Sequence, residues 1–123
     1  KLSEFNKAFT APHDKFLESM AEAAGAVMNY LGDKIVYINV MNKLSVDCDC
    51  DSHPKDATMK DIGILASLDP VALDQACVDL VYKAPYSKDL IERIESRNGI
   101  HTLEHAEKIG IGKRTYKLLS VDK

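Results

Sequence analysis

The chain has 123 residues, of which 46% are hydrophobic and 28% are charged, and its formal net charge is −3 at pH 7. This length predicts a single domain over residues 1–123, with a core that buries roughly two-thirds of the unfolded surface. The negative charge argues against a nucleic-acid partner, because phosphate binding needs a basic face. No run of about 18 apolar residues is present, which argues against a membrane span.

The cysteine pattern favours a reducing compartment. The chain has three cysteines, and Cys48 and Cys50 are separated by one residue. This spacing is not that of a secreted disulfide framework. The first residues also lack the pattern of a signal peptide. We therefore expect a cytoplasmic location.

The first half of the chain predicts a helix, a strand and a long loop. Apolar residues recur at three- and four-residue steps from about residue 12 to residue 31, which indicates an amphipathic helix. Residues 34–41, KIVYINVM, are nearly continuously apolar, as is typical of a strand covered on both faces. Residues 42–60 show no period, and loops of that length are often functional.

A second strand and a well-marked helix follow. Residues 61–68 are again apolar and rich in β-formers. Asp69 is expected to cap the next helix, because its carboxylate can accept a bond from a first-turn amide. Pro70 suits the first helical position, and Ala84 with the proline after it marks the end.

The last third predicts two short helices and a closing strand. Ser87 is expected to cap the first of these helices. The second begins at His101 or Thr102 and continues to about residue 109, before a left-handed glycine. Residues 115–121, TYKLLSV, indicate a strand, at an edge because of its lysines. The predicted fold is therefore α/β, a single domain with a mixed sheet of about three or more strands and helices packed on it.

Residues 46–53, VDCDCDSH, hold the main candidate for chemistry. Residues two apart in an extended loop point the same way, so the sulfurs of Cys48 and Cys50 could reach one metal ion, with His53 as a third ligand. The aspartates around them raise the pKa of a thiol, which argues against a redox nucleophile. A single C-x-C is a weak pattern, and ordinary reduced cysteines without a metal remain the alternative.

Other polar residues have more ordinary interpretations. His101 and His105 are four apart on a predicted helix and could share a metal, but a cap and a surface position are commoner roles. Asp69 and Asp74 would point about 140° apart on a helix, so a cap and a solvent-exposed residue are expected instead of paired carboxylates. Cys77 lies on the apolar face of the helix that begins at Pro70, and we expect it to be a small core residue.

Three runs of sequence together resemble a bacterial and archaeal family. It is catalogued as domain of unknown function three-six-two, or uncharacterised iron–sulfur centre protein. The resemblance extends from about residue 20 to residue 121. The runs are YINVMNKLSVDCDCDSH, DIGILASLDPVALDQACVDLV and GIHTLEHAEKIGIGKRTYKLL.

The resemblance implies the C-terminal part of a longer iron–sulfur protein. Many members carry two four-cysteine ferredoxin motifs upstream of this segment, and this chain has no such run. The implied partner is that upstream ferredoxin-like segment of the same protein, and the redox partner is unknown. Cys48 and Cys50 are carried over as candidate ligands. Motif positions without an assigned role are Asp47, Asp69, Asp74 and His101.

Three functional hypotheses follow. The first is a metal-binding or electron-transfer module that acts through Cys48 and Cys50, with an iron–sulfur cluster in the full-length protein, zinc as the alternative ion, or no cofactor in this segment. The second is a structural or interaction domain without metal or catalysis. The third and weakest is an enzyme in which residues 42–60 form the wall of a pocket.

Overall fold

The computed structural model describes residues 12–48 and 50–122, and it confirms the mixed α/β class. Within those residues the sheet has two strands, fewer than the three or more expected. No helix there is long and apolar enough to cross a membrane. The elements are α1 His13–Leu31, β1 Tyr37–Met41, β2 Gly63–Ser67, α2 Pro70–Lys83, α3 Lys88–Ser96 and α4 Ile100–Lys108.

The two strands form an antiparallel pair that lies against α2. Tyr37 is opposite Ser67, and Met41 is opposite Gly63. Gly63 has a φ of +141°, a conformation that favours glycine, and no atom would lie within 4 Å of an added Cβ. The glycine in the second strand therefore serves the backbone conformation and not a close approach.

The outer face of the sheet is exposed, so the expectation of a first strand covered on both faces is wrong. Ile38 and Val40 of β1 are about 60% exposed, and Ile64 of β2 is 70% exposed. The physical reason is the placement of the helices: α2 contacts both strands, whereas α1 packs chiefly against α4. The described residues thus supply one helical layer, on one side of the sheet.

Two small apolar clusters form the core. One joins α1, α2 and α4 through Ala21, Val71 and Ala106, with Ile111 packed against it. The other joins β1, the long loop and α2, and side chains of α3 pack against it. Its buried members are Met41, Met59 and Val81. The small residues of the first cluster allow the three helices to approach closely.

Asp69 joins β2, α2 and the C-terminal segment. One oxygen, Oδ1, accepts the amides of Val71 at 2.9 Å and Ala72 at 3.0 Å, which confirms the predicted cap. The other, Oδ2, accepts the amide of Lys113 at 2.8 Å. An added Cβ at Gly112 would lie 2.3 Å from Asp69 Oδ1, so this approach requires glycine.

The caps of the last two helices differ in part from expectation. Ser87 occupies the N-cap position of α3, but its hydroxyl donates to the carbonyl of Ala84 instead of capping the helix. α4 begins at Ile100, so neither His101 nor Thr102 opens it. Gly110 has a φ of +82°, which confirms the left-handed stop after the last helix.

The predicted closing strand over residues 115–121 is wrong, because this segment has no regular secondary structure. Its beginning is held instead by side-chain bonds to α2. Arg114 Nε donates to Gln75 Oε1 at 2.8 Å, and the Tyr116 hydroxyl donates to Asp79 Oδ2 at 2.6 Å. Polar contacts with a helix surface therefore take the place of strand pairing here, in spite of the β-forming composition.

Replacing Asp69 with alanine is expected to lower the free energy of unfolding by about 2 kcal/mol, because the variant loses both the cap and the bond to Lys113. Urea unfolding of the wild type and the variant measures this difference. Asp56→Ala is the matched control, since it removes an exposed aspartate of the long loop. Equal losses in the two variants would contradict the structural role of Asp69.

Candidate functional site

The cysteine loop, residues 46–53 within the long loop 42–60, is fixed to the rest of the protein on both sides of the cysteines. Asp47 accepts the amide of Lys55 at 3.1 Å, and its other oxygen lies 3.4 Å from Arg93 Nη2 on α3. The two ends of the long loop are joined as well, because Asp61 Oδ1 accepts the amide of Lys43 at 2.8 Å. Asp47 thus has an anchoring role. No sequence pattern indicates Arg93 as its partner, because the two residues are 46 positions apart.

Cys48 and Cys50 converge at the tip of this loop, as the C-x-C spacing predicts. Their Sγ atoms lie 2.7 Å apart, and both residues are exposed. The Cys50 amide points at Cys48 Sγ at 3.4 Å, and the Asp51 amide donates to the Cys48 carbonyl at 2.9 Å. A tight turn therefore presents two thiols on the same side. Their role as metal ligands stays a prediction.

His53 is engaged within its own part of the loop. Its Nδ1 lies 2.9 Å from Ser52 Oγ, and its amide donates to Asp51 Oδ1 at 2.9 Å. Over residues 12–48 and 50–122, no three His, Cys, Asp or Glu side chains are grouped so that they could hold a metal ion. Asp49 lies outside the described residues. The described residues thus bring together two candidate ligands.

Cys77 lies apart from the pair, on the side of α2 that faces the sheet. Its Sγ is 3.4 Å from Asn39 Nδ2, and burial raises the pKa of its thiol. The same amide nitrogen of Asn39 donates to Asp74 Oδ1 at 2.7 Å, so Asp74 binds β1 and is not simply solvated. The signal for this contact was present in the sequence, since Asn39 is the polar residue within an otherwise apolar strand.

The two histidines of α4 lie beside carboxylates of α1. His101 Nε2 lies 3.1 Å from Glu18 Oε1, and His105 Nε2 lies 3.1 Å from Glu22 Oε1. A hydrogen bond from Lys15, followed by one from His101, lowers the pKa of Glu18 to about 2. His101 therefore lies among polar contacts between α1 and α4, away from the cysteine loop.

Two cavities lie away from the cysteine loop. One, of about 420 Å³, is lined by the end of α1, Tyr37 and the turn at residues 109–111. The other, of about 480 Å³, lies between the end of α2 and α3, beside Tyr82 and Tyr86. Neither is lined by residues 42–60. These cavities therefore give no support to the hypothesis of an enzyme whose pocket wall is the long loop.

The fold and the loop define a small mixed α/β protein that presents two adjacent thiols on an anchored, exposed turn. The sequence model of the family described as domain of unknown function (DUF362) matches residues 3–79, more than half of the chain, and the chain belongs to this family. The match includes the cysteine loop, both strands and most of α2. The third run of sequence that resembles the family, residues 99–119, lies outside the match. No curated protein and no solved structure matches the chain.

Glu18→Gln is expected to remove an acid-sensitive part of the stability. The folded-state pKa of Glu18 is about 2, below the usual value of about 4.3 for an unfolded glutamate. The carboxylate therefore stabilises the fold above about pH 4.3, and this contribution is lost as the pH falls toward about 2. Urea unfolding from pH 6 to pH 2 should show the wild type more stable at pH 6 and the two proteins converging at low pH.

Glu92→Gln is the control for this series, because Glu92 is an exposed residue 3.8 Å from Lys88 on α3. A difference between wild type and Glu18→Gln that stays constant across the pH range would show that Glu18 does not titrate with a depressed pKa.

Proposed function

We propose that this chain is a metal-binding module in which Cys48 and Cys50 supply two thiolates to a thiophilic metal centre. The observation that carries the proposal is the 2.7 Å separation of the two sulfurs on an exposed turn that Asp47 ties to α3. Thiolate sulfur is the donor that selects zinc and iron–sulfur centres over hard cations.

The donor pair fits one edge of a tetrahedral site. Metal–sulfur bonds of about 2.3 Å place two ligand sulfurs roughly 3.8 Å apart. Cys48 and Cys50 would therefore separate by about 1 Å on binding, and both residues are exposed, which leaves room for that movement. Two thiolates fill half of a four-coordinate shell. His53 is the third ligand that the sequence predicts, and it would have to exchange its contact with Ser52.

A complete iron–sulfur cluster does not fit this chain by itself. Such clusters take four cysteine thiolates, whereas the chain has three cysteines and Cys77 faces the sheet. The finer proposal is that the chain is the C-terminal part of a longer, cytoplasmic iron–sulfur protein with an electron-transfer role. An upstream ferredoxin-like segment would then hold the clusters, and the Cys48–Cys50 loop would contribute ligands or bind zinc. The resemblance of the three runs supports this version.

An interaction domain without a metal is the second candidate. The exposed outer face of the sheet favours it, because Ile38, Val40 and Ile64 lie side by side there at about 60% exposure or more. Large exposed apolar patches commonly mark interaction surfaces. On this alternative a chelator leaves the melting temperature unchanged, whereas removal of a tightly bound metal lowers it.

Protein purified without air is expected to contain iron or zinc, and metal-free protein should bind Co²⁺ with a thiolate-to-cobalt absorption band. Cys48→Ser and Cys50→Ser should each weaken binding by at least about 100-fold, because each removes a ligand. Cys77→Ser is the control and should bind normally. If the protein contains neither metal and gives no thiolate–cobalt band, the metal-binding proposal is wrong.

Asp47→Ala is expected to weaken Co²⁺ binding by about 10- to 100-fold while both sulfurs remain, because the loop loses its bonds to Lys55 and Arg93. Asp56→Ala, in an exposed position of the same loop, is the control. Optical titration of both variants gives the affinities. Identical affinities would show that anchoring of the loop is not required for binding.

A further inference from the structure

We propose that Cys48 and Cys50 also form a reversible disulfide within the loop, so that oxidation of the pair excludes the metal. The exclusion rests on the proposed metal-binding function, whereas formation of the disulfide does not. The inference concerns a second, oxidised state of the same two sulfurs and the regulation that this state would provide.

The distances carry the argument. The sulfurs lie 2.7 Å apart, between the bonded S–S distance of about 2.03–2.05 Å and ordinary non-bonded contact, which is about 3.5–4.0 Å for carbon atoms. Disulfide formation needs the sulfurs to approach by about 0.7 Å. Metal binding needs them to separate by about 1 Å. The disulfide and the metal complex both need the same sulfur electron pairs, and they move the two sulfurs in opposite directions. The disulfide and the bound metal therefore exclude each other.

Access and proximity favour reaction at this turn. Both cysteines are exposed, so an external oxidant can reach them. The Cys50 amide and the Cys50 thiol both point at Cys48 Sγ. The Cys50 sulfur lies 2.7 Å from Cys48 Sγ, so it is positioned to complete a reaction that begins at Cys48.

Two flanking aspartates are bonded to donors of the loop and of α3. The carboxylate of Asp47 accepts the Lys55 amide and faces Arg93, and the carboxylate of Asp51 accepts the His53 amide. None of these bonds uses a sulfur atom.

The reaction is a balanced exchange with a small-molecule disulfide. The Cys48 thiolate attacks one sulfur of the oxidant, which forms a mixed disulfide and releases one small thiolate. The Cys50 thiolate then attacks Cys48 Sγ, which forms the Cys48–Cys50 bond and releases the second small thiolate. The protein loses two electrons and two protons, and the oxidant is reduced to two thiols. A dithiol reductant reverses both steps.

Closure of the bond leaves the rest of the loop in place. The ring spans three residues, and the bonds of Asp47 to Lys55 and Arg93 lie outside it. Oxidation should therefore change the ligand set without unfolding the domain, and the melting temperature of metal-free protein should change little.

The test uses the metal-free, reduced chain with oxidised glutathione as the oxidant. In the wild type and in Cys77→Ser, mass spectrometry should show loss of two hydrogens, with peptide mapping to a Cys48–Cys50 link. Cys48→Ser and Cys50→Ser lack the second thiol and should each stop with one glutathione attached. A wild type that also stops at the glutathione adduct, or that does not react, overturns the inference.

Measurement of Co²⁺ binding by the reduced and the oxidised protein separates this inference from the proposed function. Reduced protein should show the thiolate–cobalt band, oxidised protein should lose it, and dithiothreitol should restore it. If the disulfide forms but neither state binds Co²⁺, the metal-binding function and its redox exclusion fail, while the disulfide stands. If the reduced protein binds Co²⁺ but no disulfide forms, the inference fails and the function stands.

Discussion

The carboxylate of Asp69 is the contact on which the arrangement of the fold depends. It ends the turn between β2 and α2, caps that helix with one oxygen and holds the Lys113 amide with the other. The approach is close enough to require glycine at position 112. One side chain therefore sets where α2 begins and ties the segment after α4 to the first turn of that helix.

The cysteine loop is held by the same kind of interaction. Asp47 accepts a backbone amide within the loop and faces Arg93 on α3, so the turn that carries Cys48 and Cys50 has a fixed base and an exposed tip. A fixed base reduces the entropy lost when a ligand is bound. An exposed tip gives access to ions and oxidants, and the proposed metal binding and disulfide formation both use this combination.

The candidate site was predictable only in part. The C-x-C spacing predicted that the two sulfurs point the same way, and they converge, but on a tight turn and not in the extended segment that the prediction assumed. His53 was expected to face the two sulfurs, but its ring contacts the neighbouring Ser52. The role of His101 was equally hidden, since its partner Glu18 lies on another helix 83 positions away. Contacts between distant positions leave no periodic signal in a single sequence.

The sequence by itself determined the order and type of the main elements, the Asp69 cap and the left-handed turn at Gly110. These follow from local backbone preferences and apolar periodicity. Only the tertiary structure decided that residues 115–121 do not pair as a strand while Arg114 and Tyr116 bind α2, and that one face of the sheet is exposed. Both depend on which surface another segment occupies. That is settled by competition among distant contacts, so local propensity cannot decide it.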